Sequence, residues 1–366
     1  MSAHETLDRR HMARALELAE RGLWTTNPNP RVGCVIADGE RVIAEGWHAR
    51  AGEAHAERAA LAAAHTDVRG ATAFVTLEPC CHHGRTPPCT EALIAAGIAR
   101  VVYAMRDPNP RVGGKGIEQL AAAGMVVVGG VMERESRDLN PGFISRMERG
   151  RPWVVVKLAA SLDGGTALPG GESRWITGAA ARTDVQKLRA RSSAVMTGSG
   201  TVLSDDPRLD VRLPGTTHQP LRVVLDSQLR IPPAARIVAP PGKVLVLCTT
   251  EDAGRSQALR AAGAEVVRIA AADGGVDLAA ALALLAEREV NELLAECGAG
   301  LAGALLSAEL ADELLLYLAP TLLGPDSRRL VDLTTPRSMA ERLEFSIADR
   351  RDVGDDLLIR LRPRRH

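Results

Sequence analysis

Short apolar runs of strand length alternate with helical segments as far as residue 129, stop across 141–152, and start again at 153. A strand, a crossover helix and a second strand in one sheet force parallel pairing, so each stretch must fold as a mainly parallel sheet with helices packed on its faces. The interruption, residues 141–152, is basic, with Pro141-Gly142 at one edge and Arg151-Pro152 at the other. We therefore expect two α/β domains, over 1–148 and 149–366, with the boundary near 148–152. Domains of roughly 100–200 residues are the common size, which agrees with two in a chain this long.

In the first part the pattern predicts a helix over 7–21 ended by Gly22, a strand over 32–37 and a hairpin turn at Asp38-Gly39 into a strand over 40–46. A helix over 55–64, a strand over 71–77, a helix over 89–96 stopped by Gly97, and strands over 100–105 and 125–129 around a helix at 115–123 complete it. The second part gives strands over 153–160, 194–197, 222–226, 243–248, 265–269, 290–296, 313–318 and 357–361, with helices over 277–287 and 301–307.

Charge narrows the function. Lys and Arg number 45, as do Asp and Glu, so bulk electrostatics cannot hold nucleic acid or an anionic membrane. The aromatic share of 2% also argues against a platform for stacked bases. No apolar run approaches the ~20 residues that span a bilayer. The polar start Met1-Ser2-Ala3-His4-Glu5 is unlike a secretory leader, so we expect a cytoplasmic chain with reduced cysteines. Three of its six cysteines, Cys80, Cys81 and Cys89, fall within ten positions, which in that compartment points to a metal or catalytic site.

His55-Ala56-Glu57 stands upstream of Glu78-Pro79-Cys80 and Cys89. One imidazole and two thiolates make three zinc ligands and leave a fourth position for water, whose pKa a bound zinc lowers. Glu57, two residues beyond His55, can approach that water without being a ligand and act as acid and base. This is the His-x-Glu…Pro-Cys logic of zinc deaminases that hydrolyse a ring amine. Cys81, His82 and His83, in the eight residues between Cys80 and Cys89, are rival ligands. Cys80 at a strand's end and Cys89 at a helix start are the preferred pair. A structural zinc knuckle closed by Cys81 or His82 is the bland alternative, but it has no use for the His-x-Glu helix. Cys34 reads as core, and His48 and His65 as surface or packing residues.

The runs Thr25-Thr26-Asn27-Pro28-Asn29-Pro30-Arg31-Val32-Gly33-Cys34, His55-Ala56-Glu57 and Thr76-Leu77-Glu78-Pro79-Cys80-Cys81-His82-His83-Gly84-Arg85-Thr86-Pro87-Pro88-Cys89 closely resemble one family, the bifunctional deaminase–reductases of riboflavin biosynthesis. The likeness continues through Asp107-Pro108-Asn109-Pro110, Gly113-Gly114-Lys115-Gly116 and Lys157-Leu158-Ala159-Ala160-Ser161-Leu162-Asp163-Gly164 to the end of the chain. It implies a cytidine-deaminase-like three-layer α/β/α domain followed by a dihydrofolate-reductase-like α/β domain. It also implies one zinc per chain in the first, NADPH in the second, and a small pyrimidine ribosyl phosphate as substrate. The ring amine of 2,5-diamino-6-(ribosylamino)-4(3H)-pyrimidinone 5′-phosphate is hydrolysed, and the ribosyl group is then reduced to give 5-amino-6-(ribitylamino)uracil 5′-phosphate. By the same resemblance Ser173, Arg189, Leu209, Arg212 and Glu296 contact substrate. Ala159, Trp175, Thr201, Asp205, Ser227 and the loop Gly298, Ala299, Gly300, Leu301, Ala302, Gly303, Ala304 contact NADPH. Departures from the family pattern are Arg58, Cys81, Gly165 and Cys297. We expect no nucleic-acid partner, no membrane, and a homo-oligomer.

Read from the residues alone, Gly298, Gly300 and Gly303 satisfy a G-x-G-x-x-G pattern between a strand and a helix, but no acidic residue closes a strand about 20 positions later as a Rossmann fold requires. Arg189 and Arg212 are placed to fork a substrate phosphate. A zinc deaminase acting on a polynucleotide, with an accessory nucleotide-binding domain, is the alternative reading. It leaves residues 150–366 without a reason. A zinc-stabilised binding module without catalysis is the third.

Overall fold

The computed structural model describes residues 3–364 apart from 83–86, 111, 217 and 273. The chain forms two compact units, Met1–Arg151 and Pro152–His366.

The first unit runs α1 (Ala3–Glu20), β1 (Gly33–Asp38), β2 (Arg41–Trp47), α2 (Ala56–Ala63), β3 (Thr72–Leu77), α3 (Cys89–Ala95), β4 (Arg100–Met105), α4 (Lys115–Ala122), β5 (Val126–Gly129), α5 (Glu133–Leu139) and α6 (Pro141–Arg149). Its sheet has the order β2-β1-β3-β4-β5. β3, β4 and β5 are parallel, but β1 is antiparallel to both neighbours, so the sheet is mixed rather than mainly parallel. The cause is the Asp38-Gly39 turn, where Gly39 takes a φ of 58°. It reverses the chain, so β2 and β3 run the same way on either side of β1 and α2 crosses between them.

Alternation along β1 then builds three layers. Cys34 and Ile36 face Ala56, Ala60 and Leu93 on one side, while Val35 and Ala37 face Met12, Ala15 and Leu18 of α1 on the other. Gly46 sets how closely α2 approaches. A Cβ there would stand 2.3 Å from the backbone nitrogen of Ala60 and 2.5 Å from the carbonyl of Ala56. That contact seats the helix whose first residues carry the His-x-Glu pair.

The segment expected to interrupt the pattern at 141–152 is mostly helix α6. Pro141 sits at its start, where a missing N–H costs nothing, and Gly150 closes it with a φ of 64°.

The second unit contains β6 (Trp153–Ser161), α7 (Ala179–Arg191), β7 (Ala194–Gly198), α8 (Ser199–Asp205), β8 (Leu221–Leu225), β9 (Val244–Cys248), α9 (Ala253–Ala261), β10 (Ala264–Arg268), β11 (Ala271–Ala272), β12 (Gly275–Val276), α10 (Leu278–Glu287), β13 (Glu292–Glu296), α11 (Ala299–Ser307), β14 (Glu313–Ala319), β15 (Phe345–Val353) and β16 (Asp356–Pro363). Nine strands form one sheet in the order β10-β9-β8-β7-β13-β6-β14-β16-β15, parallel from β10 to β14. α10 and α11 cover one face through Leu282, Leu285 and Leu305, and α7 through α9 cover the other through Leu188, Val202 and Leu259. β13 is inserted between β6 and β7, so the carboxyl ends of these three strands meet where the winding changes direction. Crevices at such a switch point are where open α/β sheets bind ligands. Among the described residues no helix is long and apolar enough to cross a membrane.

Gly46→Ala should lower stability by about 1–3 kcal/mol, the usual cost of forcing a methyl into a filled space. Urea unfolding followed by circular dichroism checks it, and an unchanged midpoint would contradict the close packing of α2.

Candidate active sites

In the first unit, the ends of three elements converge. His55 is the residue before α2, Cys80 follows β3, and Cys89 is the first residue of α3. The imidazole Nδ1 lies 3.4 Å from the Cys80 sulfur and 3.4 Å from the Cys89 sulfur. The ligand atoms all fall within 4.8 Å of one another, the only such His/Cys/Asp/Glu group among the described residues. A tetrahedral zinc with ordinary Zn–S and Zn–N bonds separates sulfur from nitrogen by about 3.6 Å, so the spacing fits.

The electrostatics fit too. The Cys80 thiol is drawn down to about 4, chiefly by its hydrogen bond with Cys89, with burial opposing and His55 assisting. Cys89 is pushed upward by its bond to Cys80 and by burial. The pair therefore releases one proton easily and holds the other, because two neighbouring buried thiolates repel. A dication between them removes that repulsion. Glu57, 3% exposed at the second position of α2, is pushed up to about 7, by burial first and the Cys80 thiolate second.

Glu78 explains a motif that sequence reasoning left without a role. Its buried carboxylate accepts from the backbone N–H groups of Gly114 at 2.9 and 3.0 Å, Gly116 at 3.1 Å and Asp107 at 3.2 Å. A Cβ at Gly116 would stand 2.1 Å from the Pro79 carbonyl. The glycines of 113–116 thus let a loop wrap the carboxylate two residues before Cys80. His48, read as packing, is buried with its ring centroid 5.4 Å edge-on from that of His55 and its Nε2 3.1 Å from the Asn29 amide. Arg58, a departure from the family pattern, donates to the Pro87 carbonyl and ties α2 to the end of the Cys80–Cys89 insert. Cys81 and His82 do not join the cluster; His83 lies outside the described residues.

In the second unit, Glu296 ends β13 and pairs in register with Lys157 of β6. Thr197 ends the same row on β7, fully buried, its hydroxyl without a hydrogen-bond partner. Arg189 forks Glu296 with bonds of 2.5 and 2.8 Å and gives its other terminal nitrogen to the Asp210 carbonyl. Burial works against the Glu296 carboxylate, but Arg189 outweighs it and holds it below its usual range. Burial also draws the Lys157 ammonium down, with Glu296 opposing. Lys157 lies in the run 157–164 and has no assigned role in the sequence; its register beside Glu296 is what brings it to this site.

Arg189 is thus committed within the chain, while Arg212 is 55% exposed and bonds Asp210. Leu209 is buried in the left-handed region, at a φ of 52°. Ser173 is half-buried; Trp175 is exposed, with the Arg182 guanidinium 4.6 Å above its ring. The two glycine-bearing helix starts approach each other: a Cβ at Gly298 would lie 3.7 Å from the Thr201 hydroxyl, and one at Gly198 3.7 Å from Leu301. Gly298 and Gly300 are open, and backbone N–H groups at the start of α11 suit an anion. Ala302 and Gly303 face inward, Gly303 because a Cβ would collide at 1.9 Å with the Asp332 carbonyl. Asp205 and Ala304 are exposed, and Ala159, Ala299 and Ser227 are half-buried. Gly165 packs on Ser327, whose Oγ a Cβ would meet at 2.6 Å, and burial raises the Cys297 thiol to about 12.

Residues 5–105 match the family described as the cytidine and deoxycytidylate deaminase zinc-binding region, and residues 152–359 match the RibD C-terminal domain. The first unit is a cytidine-deaminase-like zinc domain and the second a dihydrofolate-reductase-like reductase domain. The riboflavin biosynthesis protein RibD of Escherichia coli is 48% identical over 97% of this chain and 99% of its own. The solved RibD of Acinetobacter baumannii superposes with a TM-score of 0.92 at 43% identity, covering 99% of this chain and all of that one. A Thermotoga maritima diaminohydroxyphosphoribosylaminopyrimidine deaminase/5-amino-6-(5-phosphoribosylamino)uracil reductase superposes at 0.88 with 35% identity, over 98% of this chain and 99% of that one. The chain belongs to the RibD family, the bifunctional deaminase–reductases of riboflavin biosynthesis, whose deaminase half uses zinc and whose reductase half uses NADPH.

Elemental analysis of the purified chain should give one zinc. Cys81→Ser should retain it, and Cys80→Ser and Cys89→Ser should lose it; loss in Cys81→Ser would overturn the ligand set.

Proposed function

We propose that His55, Cys80 and Cys89 hold the zinc, that Glu57 is the acid–base residue, and that the substrate is 2,5-diamino-6-(ribosylamino)-4(3H)-pyrimidinone 5′-phosphate. The observation that carries this is the convergence of one imidazole and two thiols beside a buried carboxyl at the start of α2. Zinc, when bound, supplies the positive charge that makes a neighbouring water acidic. The Glu57 carboxylate takes that water's proton and returns a proton to the exocyclic nitrogen, so the ring C–N bond breaks, ammonia leaves and the ring carbon keeps oxygen. Burial keeps bulk water from competing for the same proton, and Glu78 holds the loop that follows Cys80 in place.

For the second reaction, we place the ribosyl group over the row Thr197–Glu296–Lys157 and its phosphate against Arg212. Ser173 and Leu209 complete that side. NADPH, when bound, supplies the hydride that converts the ribosyl group to a ribityl chain. Ala159, Trp175, Thr201, Asp205 and Ser227 would hold it, and the Gly298–Ala304 loop would supply backbone N–H groups to its pyrophosphate. Arg189 keeps Glu296 ionised and fixed, so that its carboxylate can accept from a substrate hydroxyl without rotating. Hydride would add to the ribosyl C1′ while the bond from C1′ to the ring oxygen breaks and that oxygen takes a proton; Glu296 and Lys157, in register on neighbouring strands, bring opposite charges together there, which suits delivery of that proton. The working form is a homo-oligomer in the cytoplasm, where the six thiols stay reduced; sedimentation of the zinc-loaded chain tests the assembly.

Glu57→Gln keeps the volume and removes the base. Deamination should fall by roughly 10²–10⁴-fold while zinc stays and reduction of deaminated substrate is nearly unchanged. Glu296→Gln should do the reverse, weakening reduction while ammonia release continues. Separate assays on both variants check this, and loss of both reactions in either folded, zinc-replete variant would contradict two separable sites.

A further inference from the structure

The Lys157 ammonium is half-buried on β6 and makes no hydrogen bond or ion pair with the described residues. Glu296, in register on β13, gives both carboxylate oxygens to Arg189, at 2.5 and 2.8 Å. Burial works against the ammonium first; Glu296 supports it and Arg189 opposes it. One further contact is on its side. The ammonium nitrogen stands 5.6 Å from the centroid of the Tyr317 ring, over its face, within the reach at which an aromatic ring attracts a cation. β14 runs parallel to β6 with Leu315 opposite Lys157 and Tyr317 opposite Ala159. Tyr317 is therefore the diagonal neighbour of Lys157, on the face that α7 covers. Its ring cannot swing away. Tyr317 is fully buried among Ala181, Val185 and Leu358, and its hydroxyl donates to Asp184 Oδ2 at 2.7 Å. The same oxygen accepts from Arg351 of β15 at 3.2 Å. Burial pushes the phenol up, so it remains a donor.

We infer that Tyr317 is a positioning residue of the reduction: its ring face keeps the Lys157 side chain beside Glu296 and favours the charged form of its ammonium. The inference rests on the reading that Lys157 delivers the proton to the ring oxygen of the ribosyl group. In that step the ammonium gives up one proton as the C1′–oxygen bond breaks, and the neutral amine regains it from water afterwards. The donor must be charged when the bond breaks, yet a half-buried ammonium near Arg189 loses its proton more readily than one in water. A close ion pair would hold the charge and occupy the donors. The ring holds it without a preferred N–H direction and leaves all three donors for substrate. The charged and titratable groups facing Lys157 are Glu296 of β13, Arg189 of α7 and the Tyr317 phenol of β14; Asp184 of α7 and Arg351 of β15 meet at the Tyr317 hydroxyl.

The test is the pH profile of NADPH-dependent reduction of deaminated substrate by the full zinc-loaded chain. In the wild-type chain kcat/KM should fall at high pH as Lys157 loses its proton, and Lys157→Gln should remove that limb. Tyr317→Leu should move the limb down by about 0.4–1.5 pH units, because loss of the ring favours the neutral amine. Tyr317→Phe keeps the ring and should keep the limb in its wild-type place. The analogue 3,4,5-trifluorophenylalanine, placed at 317, has nearly the shape of phenylalanine with an electron-poor face, so its limb should move down as well. NADPH affinity, measured in every variant, shows that the second unit is folded. Where Tyr317→Leu does not fold, the comparison of the two phenylalanines decides. A limb at the same pH in both phenylalanine variants overturns the assignment and makes Tyr317 a packing residue. A limb that moves as far in Tyr317→Phe as in Tyr317→Leu also overturns it, since the hydroxyl rather than the ring face is then responsible. A limb that persists in Lys157→Gln removes the reading of Lys157 as proton donor, and the assignment falls with it.

Discussion

Two thiols and a carboxyl buried within one small volume cannot all be ionised unless a cation shares the space. Everything near Cys80 and Cys89 follows from that constraint. Cys80 is drawn down chiefly by its hydrogen bond with Cys89, with His55 assisting, and Glu57 is pushed up to about 7 by burial first and the Cys80 charge second. A zinc bound there would balance the charge of both thiolates, with Glu57 as the buried carboxyl beside them. The scaffold spends a second buried carboxylate on geometry alone: Glu78, wrapped by the amides of Asp107, Gly114 and Gly116, fixes the loop that follows β3. Removing one acceptor there leaves several buried donors unpaired, so this position is expected to tolerate substitution poorly.

The second unit solves a related problem without a metal. Glu296 is half-buried at a strand end, and Arg189 compensates it through a bidentate pair at 2.5 and 2.8 Å. Such a pair adds little net stability, because desolvation offsets the attraction. It does set orientation. With Lys157 one strand away and the Thr197 hydroxyl still lacking a partner, the row has charge, a donor and an acceptor waiting at the carboxyl ends of three parallel strands.

Much of this was legible in the residues. Short apolar runs located most strands of both sheets, and His55, Cys80 and Cys89, singled out by type and order, are brought together by the fold. What escaped has physical reasons. α7 and α9 are polar on most sides and lack a strong apolar stripe, so periodicity did not reveal them. β15 is exposed along most of its length and pairs only at the sheet edge. α6 hid behind an opening Pro and a closing Gly that read as a break. The mixed pairing of β1 depends on which neighbour the chain selects after its hairpin, and no local pattern encodes that. Arg189, expected from the resemblance to contact substrate, forks Glu296 more than a hundred positions away, a pairing that no local pattern in the sequence encodes. Gly303 also has a packing reason that the sequence does not show, the approach of the Asp332 carbonyl to α11.

The central claim is that one chain performs a hydrolysis and a reduction in that order, each on its own set of residues. Incubating the zinc-loaded chain with 2,5-diamino-6-(ribosylamino)-4(3H)-pyrimidinone 5′-phosphate, with and without NADPH, and following products by mass spectrometry tests it most directly. Without NADPH, the substrate should exchange one amine nitrogen for oxygen, release ammonia and stop. With NADPH, that product should gain two hydrogens. Reduction of the undeaminated substrate as the first event, or no ammonia until NADPH is added, would contradict the account.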